Sequence, residues 1–174
     1  MSFQKILVAV ERPPLASDVF AQALELAQKQ GSNLMVFHCI NAKPTDREIS
    51  PVPGIGTSLE LHVTELPSFP QVWQERLQKE IEQVQPWLQQ YQQQASVQGV
   101  PAEITHEVGE PGAQICELAR AWQADLIIVG RRGRTGLEEI LLGSVSNYVV
   151  HHAPCSVLVI QGILSPATNT SDSV

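Results

Sequence analysis

The chain has 174 residues, 43% of them hydrophobic, with 18 acidic residues against 11 basic ones and a formal net charge of −7. That size and apolar content suit one α/β domain with a proper core and make a second domain superfluous. The acidic balance argues against a non-specific nucleic-acid surface or an acidic-membrane face. No apolar run is long enough to span a bilayer, and the start Met1-Ser2-Phe3-Gln4-Lys5 lacks the layout of a signal peptide, so a cytoplasmic protein is expected. Cys39, Cys116 and Cys155 are odd in number and widely spaced, which fits neither a disulfide framework nor a zinc knuckle. They read as small core residues.

The first strand, 6–10, is continuously apolar, the pattern of a strand buried on both faces of a parallel sheet, and Pro13-Pro14 stops it. Ser17 caps a helix over 18–30 whose stripe is Val19, Phe20, Ala23, Leu24 and Ala27, with Gly31 at its end. A second buried strand covers 34–40. Residues 41–69 carry Pro44, Pro51, Pro53 and Pro67 with weak periodicity. They read as a long, partly disordered loop, either a mobile lid or a plain insertion. A helix follows from 71 to about 96, packing through Trp73, Leu77, Ile81, Val84, Leu88 and Tyr91, rich in Gln elsewhere, and expected to kink or break at Pro86.

Residues 102–108 alternate as a half-exposed or edge strand does, and Gly109-Glu110-Pro111-Gly112 turns the chain into a helix over 113–122. A fourth buried strand, 125–129, precedes a helix over 144–151. A last strand, 156–160, and a polar tail close the chain. The domain is read as 1–163, with a disordered tail over 164–174. The order of elements predicts an α/β fold, a single doubly wound five-stranded parallel sheet of order 3-2-1-4-5 with helices on both faces. In such a sheet the ligand sits beyond the carboxyl ends of strands 1 and 4, where the strand order reverses. Glu11 then faces Gly130 across the crevice, and 38–40 forms the neighbouring wall.

The densest chemical signal lies at that place. Gly130-Arg131-Arg132-Gly133 follows the fourth strand directly, and a nine-residue excursion separates it from Gly143-Ser144, which opens a helix. Glycines let backbone N–H groups approach an anion, and a helix N-terminus favours negative charge. Arg131, Arg132 and Arg134 concentrate positive charge there in an otherwise acidic chain. The spacing is neither the Walker pattern nor the compact dinucleotide fingerprint. The motif reads as a phosphate cradle, with a turn that merely links two core elements as the plain alternative.

The glycine pattern, followed by Val145-Ser146-Asn147 and closed by Ala153-Pro154-Cys155-Ser156-Val157-Leu158-Val159, resembles the signature of the universal stress protein family, in particular its nucleotide-binding branch. The opening Lys5-Ile6-Leu7-Val8-Ala9-Val10, the Gly109-Glu110-Pro111 turn and residues 125–130 fit as well. The resemblance implies a homodimer that binds ATP or another adenine nucleotide, ADP or AMP. It places Gly130, Arg131, Gly133, Gly143, Ser144 and Val145 around ribose and phosphates, Ser146 near the phosphates, and Ala9 and Cys39 beside Val129 at the adenine pocket. Where the family usually has Asp after strand 1, this chain has Glu11, followed by Arg12-Pro13-Pro14 in place of small polar residues. Glu11 could hold ribose hydroxyls or, through water, a phosphate-bound Mg²⁺. The family also implies dimerisation through Val157, Leu158, Val159 and Ile160, an apolar edge strand that invites another chain.

No catalytic residue is assigned, because phosphoryl transfer also needs a metal site and a group that orients the nucleophile, so at most slow ATP hydrolysis is expected. His151-His152 reads as a helix-end pair, His38 as a hydrogen-bonded wall residue, and Ser144 lacks the elbow of a serine nucleophile. Two functions stay open: an adenine-nucleotide-binding stress-response regulator, and a nucleotide-independent dimeric interaction protein whose glycines serve packing. An ATP-consuming enzyme would need a substrate domain that this length does not supply.

Overall fold

The computed structural model describes residues 2–11, 17–41, 69–131 and 142–161, with the side chains of 17 and 69–73 excepted. The elements run β1 (Lys5–Ala9), α1 (Ser17–Gln30), β2 (Asn33–Asn41), α2 (Phe69–Val97), β3 (Ala102–Gly109), α3 (Pro111–Trp122), β4 (Leu126–Arg131), α4 (Ser144–His152) and β5 (Ser156–Gln161). The sheet has the order β3-β2-β1-β4-β5 with every pairing parallel, as the pattern of elements predicts. The expected loop and tail, and with them Arg132, Gly133 and Arg134, lie outside the described residues.

The continuous apolar runs of the inner strands have a direct cause: side chains alternate across a sheet that is covered on both faces. Ile6, Val8 and Val10 enter one core with Val19, Phe20 and Leu24 of α1 and Val84, Leu88 and Tyr91 of α2. Leu7 enters the other with Phe37, Ile127 and Val129, against Ile115 and Ala119 of α3 and Val149 of α4. Every residue of the edge strand β3 is half-buried or exposed, so its sequence mixes polar residues with apolar ones.

Helix α2 continues through Pro86 without interruption. Proline there removes one backbone donor, but the buried Val84, Trp87, Leu88 and Tyr91 fix the helix to the core on both sides of it. Gly31, at φ +69°, ends α1 in the left-handed conformation that glycine adopts without steric cost. At the end of α3 the same conformation falls to Gln123, whose N–H reaches back to the carbonyls of Ala119 and Arg120. Asp125 ties the sheet's amino edge, its carboxylate accepting from Gln4 N–H at 2.7 Å and Lys5 N–H at 3.2 Å. No described helix is long and apolar enough to cross a membrane.

Candidate functional site

The central strand is shorter than both of its neighbours. Ala9, the last residue of β1, lies level with Phe37, yet β2 continues to Asn41. Val8 lies level with Ile128, yet β4 continues to Arg131. At roughly 3.3 Å per residue β2 overhangs by about 13 Å. The result is a notch at the reversal point of the strand order, with Val10 and Glu11 at its base. Both backbone groups of Val10 are held: its N–H donates to the Phe37 carbonyl at 2.8 Å, and its carbonyl accepts from His38 Nδ1 at 2.8 Å.

A carbonyl can only accept, so Nδ1 carries the proton. Burial lowers the pKa of His38, against the opposing pull of the Val10 carbonyl and of Glu11 and Glu80, with His106 adding to the lowering. The ring meets Trp87 edge-on, centroids 4.8 Å apart, on the α1/α2 side of the sheet. His38 is thus hydrogen-bonded, as expected, but it does not share a wall with Cys39. Strand alternation turns His38 and Ile40 toward α2 and leaves Cys39 facing α3 and α4.

On that second face Ala9 and Cys39 are half-buried and Val129 is buried, which brings the three expected adenine-pocket residues onto one side of the sheet. Burial pushes the Cys39 thiol up to about 11, partly offset by the Gly109 backbone and reinforced by Glu110 and Glu107. The thiol is therefore neutral near pH 7, an apolar wall rather than a nucleophile. Cys116 is buried and Cys155 half-buried, and all three cysteines are free thiols.

Gly130 and Arg131 close β4 beside the notch. A Cβ at Gly130 would stand 2.8 Å from Val19 Cγ2, so the absence of a side chain there lets α1 pack on the strand. Arg131 is half-exposed and sits level with Gln161 of β5. Helix α4 opens on Gly143, which supplies no side-chain cap to the first N–H groups. Those amides lack intrahelical partners and carry the positive end of the helix dipole. Ser144 is exposed and Val145 half-buried. Ser146 is buried, and its hydroxyl donates to the Gly143 carbonyl at 3.0 Å. Its Oγ is thus engaged in the first turn of the helix rather than directed outward.

Helix α3 opens at the same edge, after Glu110 and without a side-chain cap. Glu11 is half-exposed and already has an interaction partner within the protein. A Mg²⁺ bound with a nucleotide takes one or two carboxylates besides phosphates and waters, a donor set that Glu11 fits. No cluster of three metal-ligating side chains occurs among the described residues. His151 and His152 belong to the last turn of α4, where the His152 ring stacks on Tyr148 with centroids 4.1 Å apart and its Nδ1–H donates to the Tyr148 carbonyl at 2.8 Å.

A contact that the sequence pattern hides also braces this edge. A Cβ at Gly112 would come within 2.7 Å of the Tyr148 ring, so α3 and α4 approach closely there. Gly112 reads as part of a turn in the sequence, and only its position just inside a helix, after Glu110-Pro111, hints at packing. On the far side of β4, β5 is an edge strand. Leu158 is 40% exposed, Val157 and Val159 are half-buried, and Ile160 is buried within the core.

The sequence profile of the Universal stress protein family matches residues 2–161. Universal stress protein Sll1388 of Synechocystis sp. is 43% identical over 161 residues, which is 92% of this chain and 99% of that protein. Among solved structures, Universal stress protein UspA from Lactobacillus plantarum superposes with a TM-score of 0.69 at 25% identity, over 92% of this chain and 99% of that one. The same fold recurs in the universal stress protein from Archaeoglobus fulgidus in complex with dAMP, with a TM-score of 0.53 at 21% identity over 92% and 99% of the two chains. It recurs again in a universal stress protein in complex with cAMP, at 0.58 and 18% over 92% and 98%. By profile, by sequence and by fold, this chain belongs to the universal stress protein family.

Proposed function

We propose that the protein binds an adenine nucleotide, ATP, ADP or AMP, in the notch between β1 and β4, and acts as a homodimeric stress-response regulator rather than as an enzyme. The observation that carries this reading is the central strand ending short of β2 and β4, with Arg131 at the end of β4 and the uncapped start of α4 after it in the chain. In this reading Ala9 and Cys39 flank the adenine with Val129 behind them, Glu11 meets ribose or a water-bridged Mg²⁺, and backbone around Gly130, Arg131, Gly133, Gly143, Ser144, Val145 and Ser146 faces the phosphates. Support comes from the family and from the dAMP and cAMP complexes of related folds.

Gly143 is the residue to test. Its φ of −61° is open to any amino acid, so Gly143→Val adds bulk without backbone strain. Small molecules released from freshly purified protein by denaturation are identified by mass spectrometry, and ATP is then titrated calorimetrically into wild type and variant. Adenine nucleotide with the wild type and none with a natively folded Gly143→Val is the expected result. No nucleotide and no heat with the wild type would retire the proposal.

That second outcome would favour a nucleotide-independent interaction protein of the same fold. Two observations lean that way: Gly130 is accounted for by the packing of Val19, and the Ser146 hydroxyl is already engaged.

A further inference from the structure

Glu11, the carboxylate proposed above to meet ribose or a water-bridged Mg²⁺, stands beyond the end of β1, because the β1/β2 ladder closes at Ala9 opposite Phe37. Val10 holds the chain past that pair. Its N–H donates to the Phe37 carbonyl at 2.8 Å, which extends the main-chain pattern by one bond. Its carbonyl accepts instead from a side chain, the Nδ1–H of His38, at 2.8 Å. The six atoms of a peptide unit, from one Cα to the next, lie in a plane. Fixing the direction of the Val10 carbonyl therefore fixes where the Glu11 Cα stands, and with it the arc its carboxylate can sweep.

The ring that does this is itself held. Trp87 of α2, 8% exposed, meets it edge-on with centroids 4.8 Å apart and planes at 78°. Burial lowers the pKa of His38, so near pH 7 the ring is neutral. A neutral imidazole has one N–H, and here it is the one given to Val10. What the ring supplies to the notch is thus direction rather than charge.

We propose that His38 is a positioning residue for nucleotide binding: through the Val10 carbonyl it sets the Glu11 carboxylate at the base of the notch, with Trp87 of α2 keeping the imidazole in place. This rests on the nucleotide reading above and adds to it a route by which the packing of α2, on the opposite layer from Cys39, reaches the ligand.

Two substitutions separate the hydrogen bond from the ring. His38→Asn and His38→Leu both remove the contact with Trp87, but asparagine keeps an N–H on an atom bonded to Cγ, as Nδ1 is, and leucine has none. ATP is titrated calorimetrically into the full-length wild type and each variant. His38→Leu should weaken ATP about two- to tenfold, the worth of one neutral hydrogen bond, and His38→Asn should recover most of that loss. In a Glu11→Ala background His38→Leu should have no further effect on ATP, since the group it positions is gone. Leu24→Val, which shortens a buried side chain of the same core, should lower the Tm and leave ATP affinity as it is. In the wild type the ¹⁵N signal of His38 Nδ1 should shift as ATP saturates, and that measurement decides if His38→Leu does not fold.

An unshifted Nδ1 signal, equal ATP affinity in wild type and His38→Leu, a His38→Asn as weak as His38→Leu, the same loss with and without Glu11, or a matching loss in Leu24→Val would each overturn this proposal alone. No ATP heat with the wild type would overturn it together with the nucleotide reading.

Discussion

His38 and Cys39 show how much a single residue's setting decides. The imidazole is kept neutral by burial and holds the Val10 carbonyl, while the adjacent thiol is kept neutral on the opposite face. For His38 the folded pKa lies below the ordinary value of about 6.5. The unfolded chain therefore takes up the proton first as pH falls. The stability this contributes is complete above the unfolded value and is lost as pH drops below about 6.5 toward the folded value. The urea midpoint of the wild type should accordingly fall between pH 7.5 and 5.5 by more than that of His38→Gln, which has no proton to gain. Equal slopes for the two proteins would refute this. The sequence announces a buried strand at 34–40, and with it a His that must be bonded, but it does not name Val10 as the partner. That pairing depends on β2 overhanging β1, a matter of strand length rather than residue type.

Between elements, the tightest constraints are places where a side chain is missing. β4 accepts α1 because Gly130 leaves room for Val19, and α3 accepts α4 because Gly112 leaves room for Tyr148. A methyl group at Gly130 would press on a branched side chain held in the core, so Gly130→Ala should cost about 1–3 kcal/mol, measured as a lowered urea midpoint with unchanged m. A neutral result would mean that Val19 moves aside without cost. The strands and helices themselves are legible in the sequence because continuous apolar runs and three-to-four-residue spacing follow from burial on two faces or one. At Pro86 the break that a local rule allows does not occur: the helix runs on through it, with Trp87, Leu88 and Tyr91 anchored in the core. The glycine motif is legible as a ligand signal, yet at Gly130 the contact the structure displays is with α1.

For the molecule as a whole, the sheet's two edges differ in charge. β3 exposes Glu103 and Glu107 beside Val108, whereas β5 presents Leu158, 40% exposed, beside half-buried Val157 and Val159. In the proposed homodimer this strand meets its copy, and Ile160, buried in its own subunit, contributes only backbone. Lysine is the residue that natural edge strands use against pairing. Light scattering should therefore report twice the 19.1 kDa chain mass for the wild type and a single chain for Leu158→Lys, with native far-UV circular dichroism in both. A wild-type monomer at micromolar concentration would remove the dimer. The strand alternation that separates His38 from Cys39 also restricts how β2 can change. One inserted residue before position 38 would exchange the two layers' contents from there on, bringing the imidazole against α3 and the thiol against Trp87, whereas two inserted residues would restore the original parity. Tolerated length changes upstream of this pair should therefore come in even steps.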